Sequence, residues 1–168
     1  MKLILVRHAK SSWDDLTLDD HDRPLNERGE AGAERMGAWL ADRGHVPKTL
    51  LCSTAKRAEM TAKILMEQFA DKPVTDYISG LYHATPDTIL AKIRNAPAGD
   101  LMVVGHNPGM ASFADLISET RPKHERFASF PTTSTLISEV HLDSWKDLKF
   151  GDARLINFVV PRDLKVLL

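Results

Sequence analysis

Three short apolar runs, at residues 3–6, 50–53 and 101–104, stand between longer polar or amphipathic stretches, and this alternation constrains the fold more than any other feature of the chain. The first is apolar without interruption and partly β-branched, which suits a strand covered on both faces in a parallel sheet; a one-sided hairpin strand would alternate with polar residues. The segments between the runs read as helices. Asn26 can cap one that extends to about Arg43, with Ala33, Met36, Gly37 and Leu40 on one face and Gly44 as its stop. A second runs from about Thr54 to Phe69, with Ala58, Thr61, Ala62 and Leu65 as an inward stripe. Residues 74–78 read as a strand, and Pro86 opens a helix reaching about Asn95. Beyond the third run, Asn107 as cap and Pro108 as first helical residue start a helix through Ile117. Residues 119–133 are irregular, and 135–142 and 154–160 read as two late strands. Strands alternating with helices predict a three-layer α/β sandwich, its central sheet mostly parallel and flanked by helices, with residues 1–168 as one domain.

Charge and cysteine content narrow the function classes. The 22 Lys and Arg and 23 Asp and Glu nearly cancel, leaving a net charge of −1, so the global balance points to neither nucleic acid nor an anionic membrane as partner. Any anion site must be local. Cys52 is the only cysteine, which excludes an intramolecular disulfide framework and a multi-cysteine zinc site and fits a reducing compartment, with the cytoplasm as the expected location. The apolar run at the N-terminus is too short for a signal sequence or a membrane span.

Ligands of open α/β sheets bind outside the carboxyl ends of the strands, where helix N-termini also direct unpaired amides. Arg7 and His8 follow the first run, Arg57 lies in the first turn after the second, and His106 follows the third. Arg23 sits in a long polar loop, residues 9–24, which begins beside His8. Taken singly, each has an ordinary reading: a solvated strand end for Arg7-His8, a turn for His106, a solvated helix face for Arg57, a loop charge for Arg23. Converging on one edge, two histidines and up to three arginines suit a dianionic phosphoryl group, because guanidinium presents a planar fork of donors at any relevant pH.

The same residues carry a family resemblance. Leu5-Val6-Arg7-His8-Ala9 resembles the RHG motif of the histidine phosphatase superfamily, which includes phosphoglycerate mutases and several phosphatases. Arg23-Pro24-Leu25 with Gly29, the segment Ser53-Thr54-Ala55-Lys56-Arg57-Ala58-Glu59-Met60-Thr61, and Val104-Gly105-His106-Asn107-Pro108 resemble its other landmarks in the right order, over roughly residues 2–140. The short chain and the Arg-Pro-Leu segment are most similar to SixA-type phosphohistidine phosphatases. This resemblance implies a phosphoglycerate mutase-like fold and a phosphatase that needs no metal or other cofactor. It implies His8 as a nucleophile that is transiently phosphorylated, with Arg7, Arg57 and His106 on the phosphoryl oxygens and Arg23 as a further contact. Ser11 and Asn107 are candidate substrate-binding residues, and a phosphorylated protein is the implied substrate.

Two departures from the pattern stand out. Ala9 replaces the usual glycine. Larger members carry a glutamate as general acid where this chain reads Gly80-Leu81-Tyr82-His83-Ala84-Thr85-Pro86-Asp87, without one. An alcohol leaving group needs a proton at neutral pH, whereas the imidazole of a phosphohistidine needs less help, so the missing glutamate favours a phosphoramidate substrate. His83 and Asp87 remain candidate proton donors, and phosphate monoester hydrolysis and non-catalytic phosphoprotein binding are the alternatives. A cysteine phosphatase is disfavoured: Cys52 precedes Arg57 by four intervening residues, one fewer than the thiolate loop of that class requires, and it ends an apolar strand. Trp13, Trp39 and Trp145 read as packing or local surface, and residues 122–126 either as a solvated loop or as a docking element for a protein substrate.

Overall fold

Successive side chains of a strand point to opposite faces, so a strand that is apolar throughout must be covered on both. In β1 (Lys2–Arg7), Leu3 and Leu5 join one core while Ile4 and Val6 join the other. The structure is a computed structural model and describes residues 1–166. Its sheet comprises β1, β2 (Thr49–Ser53), β3 (Val74–Ile78), β4 (Leu101–Gly105), β5 (Thr135–Glu139) and β6 (Arg154–Val159), in the order β3-β2-β4-β1-β5-β6. The pairs β1–β4, β2–β4 and β2–β3 are parallel; β5 is antiparallel to both β1 and β6 and alone runs against the rest.

Helices α1 (Glu27–Asp42) and α2 (Lys56–Glu67) cover one face, packing Met36, Leu40, Ala58, Ala62 and Leu65 onto Ile4, Val6, Leu50, Met102 and Val104. Helices α3 (Pro86–Arg94) and α4 (Gly109–Ile117) cover the other, with Ile89, Ile93, Met110, Phe113 and Ile117 against Leu3, Leu5, Leu51, Leu101 and Val103. Trp145 is fully buried in this second core. Three layers with a mostly parallel sheet are what the alternation predicts. Among the described residues no helix is long and apolar enough to cross a membrane.

The helix ends follow the local chemistry, with two corrections. Asn26 caps α1 by accepting a hydrogen bond from the Gly29 N–H at 2.8 Å, and Gly44, at φ +68°, closes the helix in the left-handed conformation glycine tolerates. Helix α2 begins at Lys56, not near Thr54: the Ser53 hydroxyl accepts from the Ala55 N–H, and the Thr54 hydroxyl is held 2.9 Å from His21 of the polar loop. Helix α4 begins at Gly109, with Pro108 in the cap position and not the first turn. Asn107 still caps, its Oδ1 accepting from the Ala111 N–H at 3.2 Å. Strand β5 stops at Glu139, short of residue 142, because its partner β1 begins at Lys2, opposite Glu139.

Gly29 seats α1 against the loop that follows β1. A Cβ there would collide with the Lys10 carbonyl, the group that accepts from the Asn26 N–H at 3.0 Å. Gly29→Ala is therefore expected to destabilise the fold by about 2 kcal/mol, as overpacking against backbone does. A lowered urea midpoint checks this, and an unchanged midpoint would mean that α1 shifts freely.

Candidate active site

Strands β2, β4 and β1 lie side by side, and their carboxyl ends deliver Arg57, His106 and the pair Arg7-His8 to one edge. The polar loop folds back over this edge, antiparallel through a bridge between Ser11 and Leu25, and brings Arg23 with it. These residues line a cavity of about 610 Å³, together with Ser11, Asn107 and His83. Asp87 is not among them: it lies exposed in the first turn of α3, which removes it from the candidate proton donors. His83 lines the cavity from an exposed position with φ +56°. Among the described residues, no three or more His, Cys, Asp or Glu side chains cluster as a metal ion would require.

His8 is 7% exposed and fixed at every backbone group. Its N–H donates to the Gly105 carbonyl at 3.0 Å, its carbonyl accepts from the Thr133 N–H at 3.1 Å, and the next N–H, of Ala9, donates to the Thr61 hydroxyl at 2.9 Å. The Ala9 side chain is fully buried against Leu25 and Ala33, so the Cβ that departs from the family glycine is accommodated as core. Nδ1 lies 2.7 Å from the Ala9 carbonyl. A carbonyl only accepts, so Nδ1 carries the proton and Nε2 of the neutral ring presents its lone pair, 3.4 Å from Arg57 Nε. Burial first, then Arg57, Arg7 and Arg23, push the imidazole down to about 4, against the opposing pull of the Ala9 carbonyl. The ring is therefore neutral at pH 7 and becomes cationic only as the pH falls through about 4. The acid limb of kcat/KM is expected near that value, well below the ordinary imidazole range; a limb at pH 6 to 7, after subtraction of spontaneous hydrolysis, would show His8 protonating as in water.

His106 packs beside it, ring centroids 5.0 Å apart, with Nε2 2.7 Å from the Ser53 hydroxyl and a pKa pushed down to about 3 by burial, His8 and Arg57. His106 Nδ1 and Arg7 Nε are buried without a partner. Arg7 is held by the Phe130 carbonyl at 3.1 Å, which also accepts from Asn107 Nδ2, so Asn107 positions the wall behind Arg7. Arg23 donates to the Ser11 hydroxyl at 2.9 Å and stacks at 3.6 Å on Trp13, which is itself 66% exposed. Cys52 lies in the core with its thiol pushed up by burial, a packing residue.

Sequence reading missed two residues here. Asp20 pairs through Oδ2 with Arg57 at 3.0 Å and through Oδ1 with Arg23 at 3.1 Å, and its backbone carbonyl accepts from Arg57 at 2.6 Å. The Tyr82 hydroxyl donates to Asp20 Oδ2 at 2.5 Å. That bond, together with the arginines, holds the Asp20 carboxyl well below the usual carboxylate range, so it stays charged. The one sequence signal for Asp20 is its i, i+3 spacing from Arg23; Tyr82 had none.

Comparison with known proteins places the chain in a family. The model of the histidine phosphatase superfamily (branch 1) matches residues 3–77. The chain belongs to that superfamily, and its chemistry is that of a phosphatase. An uncharacterized protein of Mycobacterium tuberculosis is 36% identical over 166 residues, covering 94% of this chain and 100% of the relative. A structure from Agrobacterium tumefaciens, provisionally assigned as the phosphohistidine phosphatase SixA, superposes with a TM-score of 0.77 at 30% identity, over 95% of this chain and 97% of that one. A Nakamurella multipartita protein with the same provisional assignment gives 0.76 at 28% identity, over 95% of each chain.

Proposed function

We propose that this phosphatase removes the phosphoryl group from phosphohistidine on proteins, through a phosphohistidine formed on its own His8. One observation carries the reading: His8 is locked with Nδ1–H on the Ala9 carbonyl and a neutral, unprotonated Nε2 beside Arg57. In the first step Nε2 attacks phosphorus, the substrate N–P bond breaks, and the departing imidazole takes a proton from solvent. Water then attacks the His8 phosphoryl group, releasing inorganic phosphate and restoring the neutral ring. Arg7, Arg57 and Arg23 supply donors to the three phosphoryl oxygens, and His106, held by Ser53 beside His8 on the cavity wall, is a further contact. Phosphoryl transfer is mostly positioning and charge stabilisation, which guanidinium groups converging on one site supply.

The proton inventory supports this substrate class. No glutamate occupies the segment from Gly80 to Asp87, Asp20 is ionised and bonded to arginines, and Asp14 is the one carboxyl residue among those lining the cavity, so few acids are placed to protonate an alkoxide. An imidazole leaving group dispenses with one. His83, on the cavity wall, favours the second reading, hydrolysis of small phosphate monoesters. Phosphate release from a phosphohistidine protein, run beside p-nitrophenyl phosphate, decides between them. The expected result is a kcat/KM at least about tenfold higher on phosphohistidine; a preference for the ester would transfer the assignment to monoesters. Binding of both with turnover of neither would make the pocket a phosphoprotein reader.

A further inference from the structure

Beside the catalytic cavity lies a second groove, of about 490 Å³, between α1 and the segments 126–133 and 160–162. Lys10 and Thr132 line both, so the groove adjoins the cavity that holds His8. Its walls carry five cations, Lys10, Arg28, Arg35, Arg126 and Arg162, and no carboxylate, in a chain whose net charge is −1. Lys10, Arg28, Arg35 and Arg126 form no ion pair among the described residues. Arg35 Nε is buried without a hydrogen-bond partner. Arg162 pairs at 2.8 Å with Glu125, both side chains mostly exposed, so that contact opens at little cost.

We propose that this groove binds the acidic segment flanking the phosphohistidine of a protein substrate, with Asp and Glu side chains of that segment on the groove's arginines. The proposal rests on the phosphohistidine reading above. Spacing selects the ligand class: Arg28 and Arg35 are two turns apart on α1, about 10 Å along its axis, and Arg126 and Arg162 lie on the facing segments, a spread too wide for one phosphate and suited to a row of carboxylates. No aromatic side chain lines the groove, so it lacks the stacking surface a single-stranded nucleic acid uses. Adjacency to the catalytic cavity, across Lys10 and Thr132, places such a segment beside the phosphoryl group. The docking element that sequence reading left open at residues 122–126 contributes Arg126 to this wall.

Two phosphohistidine peptides test the proposal, one with Asp and Glu on both sides of the phosphohistidine and one with Asn and Gln there, with phosphoimidazole as the small substrate. Wild type is expected to prefer the acidic peptide by at least about tenfold in kcat/KM at low salt, the preference shrinking as salt is added. Combining Arg28→Glu with Arg126→Glu, both exposed and outside the catalytic cavity, is expected to remove that preference through KM and leave phosphoimidazole turnover unchanged. If the double reversal also impairs phosphoimidazole turnover, the Arg28→Gln and Arg126→Gln pair takes its place in the same comparison. Equal turnover of the two peptides by wild type, or a preference that survives the substitutions, overturns the proposal. If wild type hydrolyses neither peptides nor phosphoimidazole, the phosphohistidine reading fails, and fluorescence anisotropy of a labelled unphosphorylated acidic peptide still reads the groove. Binding weakened by the double variant then supports it, and no binding at millimolar peptide overturns it. Stronger displacement of that peptide by a uridine oligonucleotide than by polyglutamate would reassign the groove to nucleic acid.

Discussion

His8→Ala is expected to lower kcat/KM on phosphohistidine by at least about 10⁴-fold, the scale on which removal of a covalent nucleophile acts. The same substitution should abolish the phosphoenzyme. When wild type is mixed with ³²P-labelled substrate and quenched in base, label is expected on the protein as an acid-labile, base-stable adduct; His8→Ala should carry none. The ring is nearly enclosed, and its loss leaves a small space at the cavity floor while the Gly105 and Thr133 backbone bonds survive, so folding should be retained. A variant that still acquires label would place the covalent step elsewhere, with His106 the next candidate.

Arg57→Ala is expected to cost about 10² to 10³-fold in kcat/KM, as loss of one preorganised donor to the transferring group does. Both kinetic constants should suffer. Arg57 reaches His8 Nε2, the Asp20 carboxylate and the Asp20 carbonyl at once, so its removal takes away a phosphoryl contact and loosens the loop that carries Arg23. Arg57→Lys keeps the charge but not the planar fork, and is expected to recover only part of the loss. A loss under tenfold for the alanine variant would show that Arg7 and Arg23 suffice as the cradle.

The elements legible in the sequence are those whose signals are local. Strands β1, β2 and β4 are central and covered on both faces, so their apolar runs have no competing reading, and whatever follows each run must emerge at the same edge. That is why Arg7, His8, Arg57 and His106 could be gathered from spacing alone. The reversal of β5 left no such trace, because an apolar strand reads the same in either direction. Asp20 and Tyr82 meet across 62 residues, and their contact exists only once the polar loop has folded over the sheet edge. The Ala9 carbonyl that fixes the His8 tautomer is a backbone group, invisible to any reading of side chains. The basic groove assembles from α1, the 126–133 segment and the chain near residue 162, a conjunction no sequence window contains.

Asp20 bears on the last step of the catalytic cycle. A pocket of three guanidinium groups with no anion of its own would hold inorganic phosphate for a long residence time, and turnover would then wait on product departure. A carboxylate already bonded to Arg23 and Arg57 gives those cations a partner to return to, so part of the charge that each departing phosphate uncovers is offset from within the site. The loop thereby trades tightness of product binding for frequency of turnover.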